Sequence, residues 1–161
     1  MTDIPLGQLA VAYAAAAQPQ SSFEAVAALY QNRFTPRLMT FFAWNSGDDF
    51  CQRVWSSNPE KYPTSTGKKM GPTGWGQTVL HDQTPWFGQD EAAMRTAFPD
   101  HELIKSLGCA SCLSVPVVAA GQSIGAISIL HAQGIYTASD LTDLSALSVL
   151  LVAPLLMHQK T

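Results

Sequence analysis

The sequence predicts an α/β (α+β) domain: one central antiparallel sheet, with the N- and C-terminal helices on one face and pocket-forming loops and short helices on the other. Three observations predict it. Long helical periodicity is confined to the two ends of the chain. Apolar and aromatic runs of strand length come in two pairs, each joined by a tight turn. Between the pairs lies a stretch rich in glycine and proline. Hairpin-joined strands pair antiparallel, and helices covering one face leave the irregular middle to cover the other, where a pocket would form.

At the N-terminus, Leu6, Leu9, Ala10 and Tyr13 recur at helical spacing, and an alanine run follows to Ala17. Gln18-Pro19-Gln20 breaks this helix, because proline disfavours helical geometry in the residue before it. Ser21-Ser-Phe-Glu24 has the form of a capping box opening a second helix, with Phe23, Val26, Ala27, Tyr30 and Phe34 as its apolar stripe. After Thr35-Pro36 the period changes. The runs 37–44 and 50–56 read as a hairpin about the turn cluster Asn45-Ser46-Gly47-Asp48.

The middle, 57–108, is expected to be irregular apart from short helices at 89–97 and 100–107, the latter with Asp100 as N-cap and Gly108 as its stop. The segments 113–118 and 123–131 read as strands about Ala119-Ala-Gly-Gln122. Gly125 and Ala126 keep one region of the second strand slim. Thr137 caps the last helix, with Asp140 near its positive end. Leu141, Leu144, Leu147 and Leu151 form one stripe, but Val149, Leu150, Val152 and Leu156 are apolar too, so this helix must be covered on a second side. The whole chain, 1–161, therefore reads as a single domain: helices over 1–34, sheet and pocket segments over 37–135, and a final helix over 137–158.

Composition narrows the partners. Apolar residues make up 47% of the 161 and charged residues 13%, against roughly 25% charged in an ordinary domain. So low a charged share suggests a surface covered by another subunit, and a homodimer through the terminal helices is expected. The net charge is −3 and the pI near 5.7, with no basic cluster larger than Lys68-Lys69, which disfavours nucleic acid. The most apolar stretch, 141–157, is read as too short for the roughly 20 residues of a membrane span, and it carries Asp143 and Pro154. The N-terminus lacks the basic start and apolar core of a secretory signal, so a cytoplasmic location is expected.

Four stretches resemble the GAF domain, a small-molecule-sensing relative of the PAS fold: Gly74-Trp-Gly-Gln-Thr-Val-Leu80, Pro85-Trp-Phe-Gly88, Leu107-Gly-Cys-Ala-Ser-Cys-Leu-Ser-Val-Pro-Val117 and Gly121-Gln-Ser-Ile-Gly-Ala-Ile-Ser-Ile-Leu130. The last two match the closing strand pair that precedes the C-terminal helix in such domains. The resemblance implies a GAF/PAS-like antiparallel sheet, pocket segments between its middle strands, and pairing through terminal helices. Members bind cyclic nucleotides, haem, bilins, amino acids and other metabolites, so the resemblance implies a sensory, signal-transducing role without naming a ligand or a cofactor. No output domain stands beside it in this sequence, so a stand-alone regulatory domain is expected.

Aromatic residues gather where the pocket walls are expected: Trp44, Trp55, Tyr62, Trp75, Trp86 and Phe87. They either stack on a flat ligand or pack the loops onto the sheet. Tyr62 and Trp75 flank glycine-rich turns and are the foremost ligand contacts, with Trp55, Trp86 and Phe87 beside them. Lys69, after Thr64-Ser-Thr-Gly-Lys68, could receive an anionic group or sit on a solvated loop. His101, Ser114 and Ser128 complete the expected lining. His101 lies between Asp100 and Glu102, yet consecutive helical residues point apart, which disfavours a metal. His81-Asp82 reads as a helix end.

Cys109 and Cys112 form Cys-x-x-Cys, but they precede a strand instead of opening a helix, and no second cysteine pair exists to complete a zinc site. Two alternatives to the sensory reading stay open. One is a catalytic GAF domain of the free methionine sulfoxide reductase type using Cys109 and Cys112, although 74–80 lacks the cysteines of that type. The other is a ligand-free dimerising domain. A binding role is favoured over an enzymatic one.

Overall fold

A computed structural model describes residues 3–69 and 74–160, with the side chains of Lys68 and Lys69 outside the description. Among these described residues six strands form one antiparallel sheet in the order β3-β2-β1-β6-β5-β4: β1 Leu38–Asn45, β2 Phe50–Ser56, β3 Gly67–Lys69, β4 Trp86–Gly88, β5 Ser111–Ala119 and β6 Gln122–His131. The two hairpins are as expected, and each strand extends at most two residues beyond its predicted span or is shifted by one. The β5–β6 turn places Ala120 and Gly121 at positive φ (51° and 75°), the left-handed pair that a two-residue hairpin requires. Edge strands β3 and β4, three residues each, fall in the stretch expected to be irregular.

Alternation along the strands divides the sheet into two chemically different faces. Met39, Phe41, Leu113, Val115, Ile127 and Ile129 point to one side and are essentially inaccessible. Onto them pack α1 (Leu6–Ala14), α2 (Gln20–Phe34), α6 (Ala138–Leu147) and α7 (Val152–His158). Thr40, Phe42, Cys112, Ser114, Ser128 and Leu130 lie on the opposite side. It is covered by the middle of the chain, including α3 (Gly74–Gly76, continuing as a π-turn to His81), α4 (Glu91–Ala97) and α5 (His101–Ser106). His81 ends its helix, with Asp82 as C-cap.

Two expected side-chain cap bonds do not form, although Asp100 does stand at the N-cap position of α5. α2 begins at Gln20 without a side-chain cap. Ser21 Oγ donates instead to the Ala17 carbonyl, and Glu24 accepts from Gln20 Nε2 (2.6 Å) and from Trp55 Nε1 (3.2 Å), so the capping box does not form. Asp100 likewise makes no cap bond to α5; it accepts from the Tyr62 hydroxyl at 2.7 Å. The Thr137–Asp140 box at the start of α6 is complete, with both reciprocal bonds formed.

The final helical run, Ala138–His158, spans 21 residues, and its most apolar 18-residue stretch has mean hydropathy 1.7, so it is long and apolar enough to cross a membrane by length and composition alone. This corrects the sequence reading, which counted only 141–157 towards a span: the helical run takes in three more residues at its start, from Ala138, and one more at its end, His158. Pro154 has no N–H to give the Leu150 carbonyl four residues back. The Tyr13 hydroxyl donates to that carbonyl, and the Tyr30 hydroxyl donates to Leu147 O at 2.6 Å. Leu144, Leu151 and Leu155 are fully buried against the sheet, whereas Val149 is 64% exposed, Leu156 is exposed, and only 28% of the most apolar stretch is buried. Leu6 and Val11 of α1 are exposed as well, so both terminal helices leave large apolar side chains outside.

Candidate functional site

The second face of the sheet is the floor of a cavity of about 420 Å³. Leu38, Thr40 and Phe42 of β1, Cys51 and Arg53 of β2, and Ser128 and Leu130 of β6 rise into it. They do so because these strands pair in a register that keeps their alternating positions on one face: Thr40 lies opposite Ser128 and Leu38 opposite Leu130. Tyr62, Trp75, Phe98, Asp100 and Ile104 close the cavity from the middle segments, with Thr66 and Gly67 along the β3 side.

The aromatic wall is held by a buried polar chain. Trp75 Nε1 donates to Ser114 Oγ (2.9 Å), which shares a hydrogen bond with Ser128 Oγ (2.7 Å) and lies 3.4 Å from Cys112 Sγ. Ser114 is completely buried. It therefore acts from behind the wall, fixing the indole that faces the cavity, while Ser128 reaches the cavity itself. Trp75 packs edge-on against Phe42 and is tilted against Phe98, and Trp86 backs Phe98 edge-on at 5.7 Å without lining the space.

One end of the cavity is charged. The Arg53 guanidinium lies over the rings of Tyr62 (5.0 Å to the centroid) and Phe42 (5.4 Å), and its Nη1 makes long bonds to Pro63 O (3.3 Å) and Thr66 Oγ1 (3.2 Å). Its Nε is buried and has no hydrogen-bond partner among the described residues. Burial lowers its pKa, opposed by the negative field of nearby groups including Asp100. Burial, together with the bond to Asp100, raises the Tyr62 hydroxyl well above its ordinary range, so Tyr62 stays a donor.

Of the residues singled out in the sequence, Tyr62, Trp75 and Ser128 come together around this space, with Ser114 and Trp86 one layer behind. Trp55 and Phe87 do not. In β2 a bulge at the Phe41/Phe42 step pairs Trp55 with Phe41 and Arg53 with Phe42, inserting Val54 between them. The extra residue turns Trp55 to the helix face, where it stacks on Phe41 at 5.0 Å. Phe87 follows Trp86 along β4, so strict alternation sends it to the helix-side core. His101 stands outside the lining, partly exposed and 3.4 Å from Glu102. Lys69 pairs with Phe50 through its backbone, but its side chain lies outside the described residues. The sequence reading missed Arg53 as a wall residue, and Asp100 as anything but a cap. The signal for Arg53 was a lone charge inside a strand whose neighbours Cys51 and Trp55 are apolar.

The three cysteines are buried and free of disulfides. Burial pushes the Cys109 thiol up to about 11 and that of Cys112 to about 12, the latter despite hydrogen bonds to Ser114 and Ser128 that favour the thiolate.

Solved structures of the same architecture are numerous. The chain is similar to the GAF domain of a phosphoenolpyruvate-protein phosphotransferase from Coxiella burnetii (TM-score 0.76, 14% identity, covering 96% of this chain and 92% of that one). It is similar also to the corresponding GAF domain from Acinetobacter (TM-score 0.74, 12% identity, 100% and 98% covered). A third is the GAF domain of a two-component sensor histidine kinase from Bacillus halodurans (TM-score 0.70, 14% identity, 90% and 97% covered). At such identities the likeness is one of fold. No curated protein matches the sequence. The GAF domain profile, in contrast, matches residues 16–153, running from the end of the first helix to the last and including every strand and every segment that roofs the cavity, so the chain belongs to the GAF domain family.

Proposed function

We propose that this GAF domain is a sensory, regulatory module that takes a small metabolite into the cavity on the second face of its sheet. The observation that carries this reading is the cavity itself. Its 420 Å³ lies within the roughly 300–1,000 Å³ usual for small-molecule sites, and its wall is apolar and aromatic with a few convergent polar groups. The similar domains from a sensor histidine kinase and a methyl-accepting chemotaxis protein support a signalling role. We further propose that two copies pair through the terminal helices, whose exposed Leu6, Val11, Val149 and Leu156 would otherwise face water.

The catalytic alternative through Cys109 and Cys112 has less support, because a nucleophilic cysteine needs thiolate. A thiol near pKa 11 is ionised in about one copy in ten thousand at pH 7. Native mass spectrometry of freshly purified protein tests the sensory reading. The expected spectrum shows a small molecule retained on a dimer, released by unfolding. A chain that carries no retained mass, and whose tryptophan fluorescence no metabolite in a broad panel alters, overturns it.

A further inference from the structure

Arg53 and Asp100 bring opposite charges to one end of the cavity without pairing. Among the described residues no carboxylate comes within ion-pair distance of Arg53, whose charge is met only by two ring faces and two long bonds from Nη1. Asp100 is anchored separately, by the Tyr62 hydroxyl. Tyr62 is the spacer between them, its ring beneath the guanidinium and its oxygen on the carboxylate. A half-buried cation left without an anion, with a buried Nε that has no partner among the described residues, is costly unless the site is completed by something else.

A simple anion would satisfy Arg53 but meet the negative field of Asp100. A simple cation would satisfy Asp100 but meet the positive field of Arg53. A molecule carrying both charges close together satisfies both. Beyond this charged end the wall is Leu38, Phe42, Trp75, Phe98, Ile104 and Leu130, which offers contact area but no further charge. Resting on the small-molecule reading above, we propose that the ligand is a small zwitterion of the α-amino-acid type with an apolar body. Its carboxylate faces Arg53, its ammonium faces Asp100, and its side chain lies against Trp75 and Phe98. Arginine suits the first role because its planar fork matches a carboxylate.

Calorimetric titration of the full chain with L-phenylalanine, L-leucine, 3-phenylpropanoate and 2-phenylethylamine tests the assignment. At least one amino acid is expected to bind about tenfold or more tighter than either singly charged analogue, since each analogue leaves one charged partner unpaired. Arg53→Gln should abolish the advantage over 2-phenylethylamine, and Asp100→Asn the advantage over 3-phenylpropanoate. Should Arg53→Gln fail to fold, the Asp100→Asn comparison stands by itself, since Asp100 lies in the α4–α5 connection. Binding of an analogue as tightly as the amino acids, binding indifferent to both substitutions, or no binding of any probe overturns the proposal. A different molecule retained in native mass spectra would in that case leave the sensory reading standing. An empty protein that binds nothing would remove both.

Discussion

Gly125 lies where a Cβ would run into both the neighbouring strand and the last helix, and replacing it with alanine should destabilise the fold measurably. It sits in β6 opposite Ala43 of β1 and Val117 of β5. A Cβ there would lie 2.1 Å from the Phe42 carbonyl oxygen and 2.8 Å from Leu155 Cδ1. The first contact is with backbone inside a paired ladder, so β1 must withdraw by close to an ångström or lose hydrogen bonds to β6. Overpacking of this kind costs about 1–3 kcal/mol. A 2.1 Å approach to backbone belongs in the upper part of that range, about 2–3 kcal/mol. Restricting the unfolded chain returns about 0.4–1 kcal/mol, leaving a net loss of about 1–2.6 kcal/mol. For a chain of this length that lowers Tm by about 2–10 °C. Urea titration followed by tryptophan fluorescence gives the free energy, and a thermal scan gives Tm. Adding Leu155→Ala removes only the longer of the two contacts, so the double variant should regain little of the loss attributable to Gly125. A Gly125→Ala protein as stable as the parent would refute the argument that backbone approach fixes this glycine.

Three further outcomes are expected. Ser114→Ala removes the acceptor of the buried Trp75 indole and should cost about 1–3 kcal/mol, with a shift in tryptophan emission; unchanged stability would mean the indole finds another partner. Alkylation of native Cys109 should be slow at pH 8 and keep accelerating with pH beyond 9, because the raised pKa leaves thiolate still accumulating up to about 11; a rate that levels off below pH 9 would contradict this. Sedimentation equilibrium should give about twice the 17.3 kDa chain mass, and Val149→Glu should shift the protein towards monomer; a parent protein that is monomeric at micromolar concentration would show that another surface, or none, covers this helix.

The hairpins and the terminal helices were legible because each rests on a local signal: alternating apolar residues about Gly121, or the Thr137–Asp140 cap before a leucine stripe. The short strands β3 and β4 were not, since three residues carry too little pattern and are held by their neighbours' ladders. The cavity was legible only in part. Tyr62 and Trp75 announced themselves as aromatics beside glycines. Which of Arg53 and Trp55 faces inward depends on one inserted residue, Val54, and a bulge leaves no mark on apolar composition. Asp100 looked like a cap because its sequence position suits one; its tertiary partner, Tyr62, is 38 residues away.

The sheet is a single layer of peptide planes, and both of its faces are occupied. Thr40 and Ser128 stand in the cavity, while their immediate neighbours Met39, Phe41, Ile127 and Ile129 are the seat of the terminal helices. Adjacent residues in a strand are only about 3.3 Å apart along it, and a strand cannot shift on one side alone. A displacement of β1 or β6 by an occupant is therefore delivered to the helix bed within one residue, with no hinge or linker to absorb it. In mechanical terms the floor of the chamber is also the ceiling beneath the helices.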